Sequence, residues 1–149
     1  TDIEMLILDS YVSNIQERLT LYTELDKIDA EEDIVKFGNM LKDRFGTVPT
    51  QVNELFDGSR IRTLAKKLGF ERIVLKNRKM NSYFISNPQS IFFETPTFQQ
   101  IMQYMSVTGH IRGLTMKQSN NHLIMSKENV KTLKEARGIL EEIVSKIQL

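Results

Sequence analysis

Apolar residues recur along this chain in two rhythms. Between residues 14 and 69 the spacing is three to four. Ile15, Leu19, Tyr22 and Leu25 follow at four, three and three, which predicts one helical face. Asn14 stands in front as a cap, with Glu17 in the capping-box position. Asp29 or Ala30 opens a second helix. Asp29, Glu31, Glu32 and Asp33 crowd its first turn, where carboxylates complement the helix dipole. Ile34, Phe37, Leu41 and Phe45 repeat at three, four and four, Gly46 supplies the stop, and Pro49 follows. Pro49 suits the first turn of a third helix, with Thr47 or Thr50 as its cap. Val52, Leu55, Phe56, Ile61, Leu64 and Leu68 form its apolar stripe; Gly58 interrupts it and Gly69 ends it. Ahead of these helices, the apolar run over residues 3–8 suits a strand or an extended lead-in.

After Gly69 the pattern shortens. Arg72-Ile73-Val74-Leu75, a polar break at Asn77-Arg78-Lys79, and residues 80–85 with Tyr83, Phe84 and Ile85 predict a hairpin whose turn lacks glycine. Ile91-Phe92-Phe93 is a short apolar segment. If it is a strand, two adjacent phenylalanines cannot both face inward, and one marks a contact patch. Thr95 and Pro96 open a helix carrying Phe98, Ile101, Met102 and Met105, up to Gly109. Residues 111–116 and 122–125 predict a second hairpin around Asn120 and Asn121, which tolerate positive φ. Asn129 or Thr132 caps a last helix, with Val130, Leu133, Ala136, Leu140, Ile143 and Ile147 facing inward. The expected fold is α+β: an N-terminal three-helix lobe, then two β-hairpins with a helix between them, and a C-terminal helix. One mixed or antiparallel sheet is packed by helices. The expected organisation is a single domain over 1–149, with a helical lobe at 1–69 and an α+β lobe at 70–149.

Composition changes this picture only in its charge. The 149 residues have a net charge of +1, yet residues 1–57 hold 13 acids against 5 bases, a net of −8. Residues 60–79 hold 8 bases and a single acid, Glu71, a net of +7. Such asymmetry predicts a partner surface or an internal contact between lobes. No cysteine is present, which excludes disulfides, cysteine nucleophiles and thiolate metal sites. No run approaches about 18 apolar residues, the length that spans a bilayer. The acidic opening residues lack the basic start of a signal peptide, so a cytoplasmic location is expected.

No glycine-rich phosphate cradle, HExxH, EF-hand loop or GxSxG elbow occurs. His110 and His122 are the two imidazoles, and both fit structural or exposed roles. The expectation is therefore a domain without catalytic residues, metal or cofactor of its own. Arg62, Lys66, Lys67, Arg78 and Lys79 are the candidates for phosphate contact.

One segment is specific. Asp43-Arg44-Phe45-Gly46-Thr47-Val48-Pro49 closes the second helix. The helix before it reads Ile15-Gln16-Glu17-Arg18-Leu19-Thr20-Leu21-Tyr22, and Arg60-Ile61-Arg62 and Ala65-Lys66-Lys67-Leu68-Gly69 follow. Together these resemble the C-terminal domain of the bacterial transcription-repair coupling factor, from about residue 3 to 84 and more faintly beyond. Ser13 stands where members often have proline, and Met40 where they often have glutamate.

The resemblance implies a parent protein that recognises stalled RNA polymerase. It would dislodge the polymerase with an ATP- and Mg-dependent double-stranded DNA translocase and recruit the excision-repair protein UvrA. It further implies that this domain is regulatory, docking on the parent's N-terminal UvrB-like module and masking the UvrA-binding surface. On that basis Asp43, Arg44 and Met40 are the candidate docking residues. Phe45, Gly46 and Pro49 are structural: a core anchor, a helix stop and the residue that follows it. The competing expectation is a DNA-contacting accessory module using the basic stretch 60–79.

Overall fold

Three helices, a helix-flanked hairpin pair and a final helix follow one another in the computed structural model, which describes residues 7–87 and 89–147. The helices are α1 (Ile15–Asp26), α2 (Glu31–Phe45), α3 (Thr50–Leu68), α4 (Pro96–Tyr104) and α5 (Leu133–Lys146). The strands are β1 (Phe70–Lys76), β2 (Lys79–Phe84), β3 (Leu114–Ser119) and β4 (His122–Glu128). The architecture is α+β, as the two rhythms predict. The chain divides into two compact units between Thr63 and Leu64, within α3.

The helical unit is built around Ile7, Val12, Leu21, Leu25, Ile34, Phe37, Leu41, Val52 and Phe56. Burial of a side chain such as Leu41, fully shielded from solvent, contributes roughly 1.5–3 kcal/mol. Phe37 and Phe56 meet edge to face at 6.0 Å. Asn14 caps α1 as expected, its Oδ1 accepting from the Glu17 N–H at 3.0 Å.

The inward face of α1 differs from the predicted one. Leu21 and Leu25 are buried, whereas Ile15 and Leu19 are 60% and 54% exposed. Both expected apolar positions in the first half of α1 thus lie on its solvent side, and Leu21, absent from the predicted stripe, replaces them. The apolar lead-in at residues 3–8 lies outside the described residues except for Ile7 and Leu8. Ile7 is buried, and the Leu8 carbonyl accepts from the N–H groups of Tyr11 and Val12. α3 runs through Gly58 without a break, and Pro49 precedes it, its carbonyl accepting from Val52 and Asn53.

The second unit is a four-stranded antiparallel sheet in the order β1-β2-β4-β3. Along β2, Met80, Ser82 and Phe84 are buried and alternate with partly exposed Asn81 and Tyr83, the period of a pleated strand. Phe84 anchors an aromatic cluster with Phe70 at 4.5 Å, Phe98 at 5.6 Å and Phe92 at 6.1 Å. The turn between β1 and β2 holds Asn77 at φ 53° and Arg78 at φ 60°, the backbone of a type I′ hairpin made without glycine.

Ile91–Glu94 forms a 3-10 helix instead of a strand. That geometry lets Phe92 and Phe93 both pack partly buried against Phe98, so neither is the exposed contact patch; the exposed apolar residue there is Ile91. Thr95 caps α4 and Thr132 caps α5. The whole predicted face of α5 is buried: Leu133, Ala136, Leu140 and Ile143, with Val130 and Ile147 beyond its ends.

Candidate functional site

The motif that closes α2 is held by side chains from far upstream. Gly46 leaves the helix at φ +93°, a conformation glycine adopts without steric penalty, and its N–H donates to the Lys42 carbonyl at 3.0 Å. The Tyr11 hydroxyl donates toward the Gly46 carbonyl at 2.8 Å and the Leu41 carbonyl at 3.1 Å. Its ring leans on Phe45, with centroids 5.9 Å apart. Burial raises the Tyr11 pKa above its ordinary 10.0. Arg44 pairs with Glu17 in the first turn of α1 and lies over the Phe45 ring at 4.8 Å. Arg18 secures the segment before α1 by donating to the Val12 carbonyl at 2.7 Å.

The three candidate docking residues thus have different surroundings. Asp43 is exposed, and its side chain pairs with none of the described residues. Arg44 is engaged within the helical unit. Met40 packs against the core, with its sulfur 3.8 Å from Arg44 Nη1. Phe45 and Pro49 are partly buried and Gly46 is exposed at the helix stop. Tyr11 and Arg18 were given no role from the sequence, and Glu17 was read only as a capping-box residue. Tyr11 and Arg18 bond to carbonyls, Glu17 pairs with Arg44 27 positions away, and Tyr11 reaches across 30 to 35 positions, which no local pattern announces.

The basic stretch 60–79 is not one surface. Arg60 holds Glu31 at 2.8 Å and Asp57 at 3.4 Å; the hydrogen bond to Glu31 is the first cause of its raised pKa. Arg62 donates to the carbonyls of Asp26 and Leu25, at the C-terminal end of α1, and to the Asp26 carboxylate. Such a cation also complements the negative end of the dipole. Arg72 covers the Tyr83 ring at 4.4 Å, and Lys79 pairs with Glu128 at 3.4 Å. Lys66 and Lys67 end α3, whereas Lys76 and Arg78 stand at the far end of β1. Seven strand residues separate those two groups by about 20 Å.

His122 Nε2 lies 2.7 Å from Glu71 Oε1, its ring edge-on to Tyr83, while His110 is exposed. Glu54, on α3, has a buried Oε2 without a hydrogen-bond partner among the described residues. Burial, and then the neighbouring Asp57, raise its pKa. No group of three His, Asp or Glu side chains among the described residues is arranged to hold a metal, and none of the helices described is long and apolar enough to cross a membrane.

A three-helix unit whose second helix ends at a fixed glycine stop, joined in sequence to a four-stranded antiparallel sheet module, is the fold of the C-terminal domain of transcription-repair coupling factor. The crystal structure of such a domain superposes with a TM-score of 0.70 at 19% identity, covering 97% of this chain and 91% of that one. A family model described as the TRCF domain matches residues 1–94, and the chain belongs to that family. Its relatives include transcription-repair-coupling factors of Borreliella burgdorferi, 31% identical over 86 residues (58% of this chain, 8% of the relative), and of Rickettsia bellii, 34% identical over 71 residues (48% and 6%). That of Staphylococcus epidermidis is 26% identical over 138 residues (89% and 12%). The chain therefore spans 6% to 12% of the length of these relatives.

Proposed function

We propose that this chain is the regulatory docking domain of a longer transcription-repair coupling factor. It docks on the N-terminal UvrB-like module of the same protein, masks the surface that binds UvrA, and restrains an ATP- and Mg-dependent double-stranded DNA translocase that engages stalled RNA polymerase. The domain contributes no catalytic residue or cofactor to that cycle. The carrying observation is Asp43: an exposed carboxylate with no partner among the described residues, on a helix end fixed by Tyr11 and by the Arg44–Glu17 pair. A charge presented on a preorganised element gives orientation and selectivity to a contact with a basic surface. The acidic balance of residues 1–57 extends the same complementarity over the surrounding helices. Met40 packs against the core and Arg44 is engaged on the surface by Glu17, so the contact falls chiefly on Asp43.

The test is Asp43→Arg in the parent protein. Reversing the charge is expected to raise basal ATPase and UvrA binding several-fold, and to weaken association of this domain with the purified N-terminal module. ATPase and affinity both equal to those of the unmodified protein would overturn the assignment of Asp43. Tethering raises the effective concentration of the two partners, so the two-component titration is run to millimolar domain.

A further inference from the structure

The turn between β1 and β2 and the loop between β4 and α5 meet at one end of the sheet. Lys79 lies opposite Glu128 in the register, and the Val130 N–H donates to the Arg78 carbonyl at 2.9 Å. This fastening gathers bases from two separate stretches: Lys76, Arg78 and Lys79 from the first, Lys127, Lys131 and Lys134 from the second. Two acids stand among them. Glu128 pairs with Lys79, and Glu135 accepts from the Lys131 backbone N–H at 2.9 Å. Lys76, Arg78, Lys131 and Lys134 are exposed, and their side chains pair with none of the described residues.

These cations sit where local structure disfavours them. Arg78 has φ +60°, which costs a side-chain-bearing residue about 1–2 kcal/mol. Lys131 and Lys134 flank the start of α5, where positive charge opposes the dipole. Choices that oppose local stability and cluster in one place mark function. The span from β1 across β2 to β4 is two strand spacings, about 10 Å. Duplex DNA carries one negative charge per about 1.7 Å of its axis, dense enough over that length for each of the four exposed cations to meet a phosphate. Stacking on aromatic faces characterises single-strand binders. Tyr83, the aromatic residue of the exposed face of β2, is already covered by Arg72 and met edge-on by His122.

We infer that this end of the sheet binds the phosphate backbone of duplex DNA, without reading sequence, through Lys76, Arg78, Lys131 and Lys134. The site is independent of the docking role proposed for Asp43, which lies in the other unit. It also differs from a contact along residues 60–79, because Lys66 and Lys67 are excluded and Lys131 and Lys134 are included.

The test is fluorescence anisotropy of a short labelled duplex with the 149-residue chain. Four phosphate contacts give a log–log salt slope of about −3.6, a loss of affinity of about 150-fold between about 50 and 200 mM salt. The double variant Arg78→Gly/Lys134→Ala is expected to halve that slope, reducing the loss to about 12-fold. Its thermal stability should equal or exceed that of the wild type, because each substitution relieves a local conflict. Lys66→Ala with Lys67→Ala should keep the full slope. Absence of salt-dependent binding, a full slope in Arg78→Gly/Lys134→Ala, a reduced slope in the Lys66/Lys67 variant, or tighter binding of a single strand of equal length would each overturn the inference.

Discussion

Tyr11→Phe isolates the device that fixes the end of α2. The substitution keeps the ring against Phe45 and removes a single hydroxyl. That hydroxyl carries one proton, shared between the Gly46 carbonyl at 2.8 Å and the Leu41 carbonyl at 3.1 Å, so one hydrogen bond is lost rather than two. Gly46 is exposed, and its carbonyl can be rehydrated, which places the loss near the ordinary net value of about 1 kcal/mol. Urea denaturation should show that decrease with an unchanged m-value. Hydrogen exchange offers a local reading: the Gly46 N–H, bonded to Lys42 at 3.0 Å, should exchange about fivefold faster if it opens with the helix end.

The same hydroxyl predicts an alkaline signature. Its folded-state pKa is raised above 10.0 by burial, so the folded state holds the proton more tightly than the unfolded one. Its contribution is full below pH 10 and is lost as pH rises through the folded value. Tyr104 is raised as well, by burial and then by Glu142, so the signature is the difference between wild type and Tyr11→Phe across this range. A stability change below about 0.3 kcal/mol, well under the usual hydrogen-bond contribution, together with unaltered Gly46 exchange, would refute the clamp.

Glu54→Gln should stabilise the chain at neutral pH and lose that advantage in acid. The folded-state pKa of Glu54 lies above 4.5, through burial and then Asp57, so wild-type stability falls as pH rises through that raised value; melting curves at pH 4 and pH 7 that give the same difference between variant and wild type would refute the assignment. Gly69→Ala should be severe: its Cβ would stand 2.1 Å from Phe92 Cζ at φ +81°, combining about 1–2 kcal/mol of backbone strain with about 1–3 kcal/mol of overpacking. Denaturant titration checks it, and a loss under about 1 kcal/mol would mean that Phe92 moves aside freely.

What was legible in the sequence follows from how local each determinant is. The face of α5 was readable because Leu133, Ala136, Leu140 and Ile143 repeat within one element that buries one side. α1 carries apolar residues around more of its circumference, so periodicity admitted Ile15 and Leu19 where packing against the rest of the helical unit selected Leu21 beside the expected Leu25. Phe92 and Phe93 were misread because alternation argues only for a strand, and a 3-10 turn places neighbours on adjoining faces. The Asn77-Arg78 turn carries no glycine to advertise its positive φ values.

The charge pattern misled for a related reason. A count along the chain treats Arg60 and Arg62 as members of a basic stretch, but their partners are Glu31 and Asp26, on other helices. Folding thus neutralises part of the run that looked most basic. It then assembles a different set of cations, drawn from residues 76–79 and 127–134, through a strand register and one backbone hydrogen bond at Val130. The end of α2 was legible because Gly46 and Pro49 punctuate it locally. The basic end of the sheet was not, because it exists only once β4 lies beside β2.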